Sequence, residues 1–281
     1  MENIVVGVDD SAAARSALAW VAHRSTAHAA DVDVVHVVSD ATAHRQSDED
    51  VLANAERSFR SAAPEQNVRF HAAEGGVART LGELSAGRDL LVIGVDPDHP
   101  LRTALRGWLP VRVIARTVPP VCIVPVGWAP RDGSVTVGLD DDSSSEEALT
   151  FAAREADETS RRLRIVHAWH LPEPEIDGSA ALLVRPDRLL QEHRNTLDAA
   201  TRSVQSRFPR VHVESDLVRS HPADALLQHA PTATMIVIGT HREGVLAGGY
   251  LGSVAQDILW RAGCPIVVAP SAGFPAKGAG R

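Results

Sequence analysis

Short, almost unbroken apolar runs mark the first part of the chain at intervals: Ile4 to Val8, Val34 to Val38, Leu91 to Ile93 and Val121 to Val124. Runs of this length, rich in β-branched residues, predict strands covered on both faces. Between such runs lie longer segments, such as Ala12 to His23 and Asp187 to Arg207, whose apolar residues recur at helical spacing. Ser11 is placed to cap the first helix, and Ser143 with Glu146 spells a capping box where a later helix begins. Strands alternating with helices predict an α/β fold: a parallel sheet with right-handed crossovers and helices on both faces.

The pattern occurs twice. Ile4 to Ser11 (IVVGVDDS) returns as Val135 to Asp142 (VTVGLDDD), and the same offset of 131 carries Ala17-Leu18 onto Ala148-Leu149 and Val35-His36 onto Val166-His167. Farther on, Leu91 to Gly94 (LVIG) returns as Ile236 to Gly239 (IVIG), and Pro120 to Pro125 as Pro265 to Pro270, at an offset of 145. The added residues are expected between the second strand and the following helix of copy two, where the run Leu171 to Pro186 has no counterpart of equal length in copy one. Insertion is inexpensive there, because loop-closure entropy grows slowly with length. The expected organisation is two tandem, doubly wound, parallel five-stranded sheets of Rossmann-like kind: domain one at 1–127, domain two at 134–271, and a flexible tail at 272–281. Gly127 to Gly133 forms the linker.

With 281 residues the chain can bury two cores, and 44% apolar against 23% charged residues is the balance of a folded protein. A formal charge of −8 and only 4% aromatic residues offer neither a basic surface nor a stacking platform, so nucleic acid is not an expected partner. No apolar stretch approaches the roughly 20 residues of a membrane span, and the N-terminus runs straight into a strand, so a cytoplasmic protein without a membrane partner is expected. Cys122 and Cys264 sit in apolar surroundings and read as buried thiols. The thirteen histidines are scattered and imply no metal; His36 and His167 occupy equivalent strand ends, which suits a structural role.

Ligands of open parallel sheets bind beyond the carboxyl ends of the strands. After the first strand of copy two come Asp140, Asp141 and Asp142; after the fourth comes a glycine-rich loop, Gly239 to Gly252, opening onto a helix at Ser253 and Val254. Free backbone N–H groups at a helix start, with the positive end of its dipole, can hold phosphate, and Ser253 adds a hydroxyl. The loop lacks the Lys of a P-loop and the position of a dinucleotide fingerprint. No nucleophile-base arrangement can be named, so no catalysis is expected.

These residues resemble the universal stress protein family in its tandem form, over nearly the whole of both copies. Its ATP-binding members carry Gly, two residues, Gly, nine residues, Gly, then Ser or Thr after the fourth strand. Gly239, Gly252 and Ser253 fall in register, while Arg242 stands at the second glycine position and Gly244 follows. The resemblance implies that Asp140, after Gly138 on the first strand, lies at the adenine side of the pocket with Ala168. Arg242 can either fill the space glycine leaves or set a guanidinium against phosphate. Copy one departs further: Pro97, Gly107 and Trp108 occupy the aligned positions and Pro110 removes a backbone N–H. Asp9 reads as a turn carboxylate. The resemblance therefore implies a stress-response regulatory or signalling protein that binds ATP or another adenine nucleotide, with or without Mg2+, in domain two. A scaffold that binds no nucleotide is the alternative. The last strands, Val121 to Val124 and Ile266 to Val268, are expected to pair across copies or chains, which makes a homodimer the expected assembly.

Overall fold

The structure is a computed structural model and describes residues 1–38, 45–96, 109–140, 144–170, 186–240 and 252–270. The first half runs β1 (Glu2–Val8), α1 (Ala12–Ala27), β2 (Ala30–Val38), α2 (Arg45–Ala62), β3 (Asn67–Glu74), α3 (Val77–Leu84), β4 (Leu90–Val95), α4 (Leu109–Ile114) and β5 (Val121–Pro125). The second half repeats the order: β6 (Ser134–Leu139), α5 (Ser144–Glu158), β7 (Leu163–Trp169), α6 (Pro186–Arg207), β8 (Val213–Arg219), α7 (Pro222–Leu227), β9 (Ala233–Thr240), α8 (Ser253–Arg261) and β10 (Ile266–Pro270). The connection that the insertion lengthens runs from Trp169 to Pro186, against Val38 to Arg45 in the first half, and the helix after it has 22 residues instead of 18.

Ten strands form one sheet in the order β3-β2-β1-β4-β5-β10-β9-β6-β7-β8. Every neighbouring pair is parallel except β5 with β10, which run antiparallel with Cys122 opposite Val267. The two five-stranded sheets expected from the sequence are thus halves of a single sheet, joined within the chain. Pairing β5 with β10 satisfies the backbone groups that would otherwise form an exposed template, so self-association does not follow from these strands.

Alternation along the central strands sorts their side chains into two cores. Val6, Val34, Val92, Val137, Ile165 and Val237 face α1, α2, α5 and α6; Val5, Val35, Leu91, Val166, Ile236 and Ile238 face α3, α4, α7 and α8. Only the outermost strands are amphipathic, as β3 shows with its exposed Asn67, Arg69, Ala72 and Glu74. Ser11 caps α1 by accepting from the Ala14 N–H at 3.0 Å. Cys122 and Cys264 are buried thiols, and burial pushes the Cys264 thiol up to about 12.

Polar pairs on the strands obey the same duplication with their charges exchanged. On β2, Asp33 stands opposite Arg69 of β3 and bonds it at 2.7 Å; at the equivalent positions Arg164 of β7 stands opposite Glu214 of β8 and bonds it. Arg88 also reaches Asp33, at 2.7 Å. Burial opposes the Asp33 charge, but the hydrogen bond from Arg69 and the charges of Arg88 and Arg69 hold its carboxyl below the ordinary carboxylate range. A carboxyl depressed by folding stabilises above its unfolded value, about 3.9, and that contribution is lost as pH falls through the folded value. Asp33→Asn should therefore lower the urea midpoint at pH 7 and flatten its decline below about pH 4.

Candidate functional site

In each half the strand order places the first and fourth strands side by side, one leading outward to β2 or β7 and the other inward to β5 or β10. This is the switch point at which an open sheet leaves a crevice beyond its strand ends. In the second half the crevice lies beyond β6 and β9, so Asp140 follows one wall and Gly239 and Thr240 end the other. Ala168 lies near the end of β7, partly buried against the core shared with α7 and α8, and Val254 in the first turn of α8 packs on that same core. The fold thus sets Asp140, Ala168, Gly239, Gly252, Ser253 and Val254 around the carboxyl end of one half-sheet. Arg242 and Gly244 lie outside the described residues, as do Asp141, Asp142, Ser143, Pro97, Gly107 and Trp108.

The start of α8 is the chemically distinctive feature. Gly252 is its N-cap, at φ −51° and ψ 150°, and as a glycine it brings no side chain of its own to the first turn. Among the described residues, a Cβ placed on Gly252 would meet nothing within 4 Å. The nine-residue helix thus begins at the carboxyl end of the half-sheet with Gly252 and Ser253 both exposed, and the N–H groups of its first turn have no partner within the helix. An anion of phosphate size fits that arrangement. In the first half the described part of the corresponding helix is Leu109–Ile114, and within it Pro110 supplies no N–H.

Around Asp140 a residue not anticipated from sequence fixes the backbone. Ser145 is buried, and its Oγ accepts from the Asp140 N–H at 2.7 Å. The Asp140 carboxylate follows a strand end anchored by this bond. In the first half Asp9 instead accepts from the Ser11 N–H at 2.9 Å, the turn-stabilising role expected of it.

Gly138, next to last in β6, also has a packing role. A Cβ there would stand 3.0 Å from Leu226 Cδ1 and 3.7 Å from Ile238 Cγ2, and its counterpart Gly7 would meet Leu81 in the same way. A leucine from the helix after the third strand, α3 or α7, occupies the space above both glycines, in the half with a candidate site and in the half without one. Close packing of helix on sheet accounts for glycine at this position.

The equivalent histidines take equivalent places. His36 Nδ1 bonds the Val8 carbonyl at 2.8 Å, and His167 Nδ1 bonds the Leu139 carbonyl at 2.9 Å. A carbonyl only accepts, so Nδ1 carries the proton in both rings. The second nitrogens differ: His36 Nε2 meets Asp48 at 3.0 Å, whereas His167 Nε2 meets His193 Nδ1 at 2.8 Å. With both rings neutral, His193 donates to His167. Each histidine ties the second strand of its half to the first. Among the described residues no group of three His, Cys, Asp or Glu side chains could hold a metal ion, and no helix is long and apolar enough to cross a membrane.

Comparison with known proteins agrees with this architecture. A universal stress protein of Mycobacterium tuberculosis is 29% identical over 291 aligned positions, covering 95% of this chain and 96% of its own. The crystal structure of a universal stress protein from Archaeoglobus fulgidus superposes with a TM-score of 0.66 at 17% identity, over 96% of both chains. A shorter universal stress protein solved in complex with cAMP matches 45% of this chain and 98% of its own, at 21% identity and a TM-score of 0.39. The profile of the universal stress protein family matches residues 1–125 and again 133–270. The chain belongs to the universal stress protein family and carries two copies of the family's domain in tandem.

Proposed function

We propose that the protein binds one adenine nucleotide, ATP or its diphosphate, in the second half, and acts as a non-catalytic regulator in a stress response. The single observation carrying this reading is the glycine start of α8, where Gly252 and Ser253 are exposed and a Cβ on Gly252 would meet no described residue within 4 Å. Phosphates would take the N–H groups of the first turn and the Ser253 hydroxyl, the adenine would lie toward Asp140 and Ala168, and Mg2+ would neutralise phosphate charge without a protein cage of its own. The first half would serve as a structural counterpart. A cytoplasmic location fits this role, and a homodimer of chains whose halves are docked internally would use a face other than β5 and β10.

Acid extraction of the purified protein, followed by chromatography of what is released, tests the reading. About one adenine nucleotide per chain at most is expected, and titration should restore it to a stripped sample. Removing one hydroxyl donor to a charged phosphate should weaken binding about tenfold in Ser253→Ala. No released nucleotide, together with no heat on adding ATP or ADP with magnesium, would leave the scaffold reading in its place.

A further inference from the structure

Helices α1 and α5 are equivalent elements of the two halves, and the offset of 131 that relates them carries Arg24 onto Glu155. These two residues meet. Arg24 Nη1 donates to Glu155 Oε1 at 2.8 Å and Nη2 stands 2.7 Å from Oε2, with Arg24 only 7% and Glu155 only 4% exposed. Glu2 completes the cluster, accepting from Arg24 Nε at 2.8 Å. Burial disfavours the Arg24 charge, but the Glu155 and Glu2 carboxylates outweigh it and hold the guanidinium protonated.

Where two copies of one domain associate about a twofold axis, a residue near that axis meets its own counterpart. Identical halves would oppose glutamate to glutamate with no cation between them, or arginine to arginine with Glu2 as the one carboxylate left to each, and breaking a buried ion pair is strongly destabilising. The exchange of charge between equivalent positions removes that conflict only when the halves differ. The strand pairs of the junction are not selective: β5 and β10 contribute apolar pairs, Val121 with Val268 and Ile123 with Ile266, that like halves could also form.

We propose that the Arg24–Glu155 pair makes the junction a surface for unlike halves: half one docks with half two, of its own chain or by exchange of a second copy, and refuses another half one. The linker is short, with Gly127 at φ 74°, and the residues exposed along it are Gly127, Ala129, Pro130 and Asp132. Short hinges of this kind are the usual route to exchange of an element between protomers.

Charge reversals in the full chain test this, each made with Glu2→Gln so that residue 24 faces Glu155 alone. Arg24→Glu sets two glutamates against each other within the chain, and Glu155→Arg sets two arginines. Each should lower the melting temperature by about 10 °C. Neither should form a homodimer, since exchange between identical variants repeats the clash. Co-expressed, the two variants can satisfy both junctions by exchanging halves, so native mass spectrometry should find a 1:1 heterodimer with the melting temperature restored. The double reversal in one chain should also recover, as a monomer. Single variants that melt with the Glu2→Gln parent, a co-expressed sample without heterodimer, or a double reversal no better than either single change would each overturn the proposal. If a single variant fails to accumulate, its recovery only as the heterodimer supports the proposal, and failure of co-expression to recover it overturns it.

Discussion

Gly252→Asp is expected to weaken nucleotide binding by at least about 100-fold while leaving the fold intact. Among the described residues, a Cβ at Gly252 meets nothing within 4 Å, so none of them opposes the side chain. Aspartate is a better N-cap than glycine by a few tenths of a kcal/mol, so α8 should be retained or slightly stabilised. The new carboxylate would accept from the N–H groups that phosphate would use and would add a negative charge where a second one must sit. Losing two charge-assisted hydrogen bonds, at roughly 1.5–3 kcal/mol each, already accounts for the expected change. Calorimetric titration with ATP and thermal melting of the same variant separate the two effects. Gly107→Asp in the first half should leave the stoichiometry unchanged; if it also removes ligand, the first half has a site.

Gly94→Ala should have the opposite profile, destabilising the protein by about 3 kcal/mol or more with no direct effect at the ligand. A Cβ at Gly94 would lie 2.0 Å from the Ala13 carbonyl oxygen and 2.7 Å from the Ala14 nitrogen. These are backbone atoms of the first turn of α1, so no rotamer change relieves the contact. β4 and α1 would have to separate, opening the core that holds Val92 and Ala17. Urea denaturation should show a lower midpoint for the alanine variant. A midpoint equal to that of the parent would mean that α1 can shift without cost. Gly94 aligns with Gly239, so a glycine at this place in the family pattern is not by itself a sign of a bound nucleotide.

Several features were legible because they are local or repeated. The apolar runs at Ile4 to Val8 and Val121 to Val124 announced strands, Ser11 announced a cap, and two offsets announced the duplication and located the insertion. His36 and His167 were recognisable as strand-end residues from their equivalence alone. Other features depend on what lies across the fold. Gly138 was read as a ligand-site residue in sequence, but Leu226 comes from a helix 88 positions later, and only the fold shows that a Cβ on Gly138 would stand 3.0 Å from it. The sequence left β5 and β10 to pair across copies or chains, and that they pair across the two copies of one chain depends on the path of the linker. Ser145 was overlooked because a serine near a helix start is ordinary; its Oγ reaching the Asp140 N–H is a matter of geometry. Arg24 and Glu155 carried a readable signal, opposite charges at positions 131 apart in a duplicated chain, yet their contact is visible only once the halves are docked.

The exchanged charges give the duplication a physical meaning. At Asp33 with Arg69 and Arg164 with Glu214, both halves keep a cross-strand ion pair while its polarity reverses, so each half remains internally consistent. At Arg24 with Glu155 the reversal lies between the halves and binds one to the other. The ligand ends differ as well: the helix of the second half opens at Gly252, and the corresponding helix of the first half contains Pro110, which supplies no N–H.

The most direct measurement of this account is calorimetric titration of the nucleotide-free full chain with ATP and with ADP in the presence of magnesium. One site per chain is predicted, lost in Gly252→Asp. Two sites per chain, or one that survives Gly252→Asp, would contradict the assignment to the second half, and no heat with either nucleotide would contradict nucleotide binding itself.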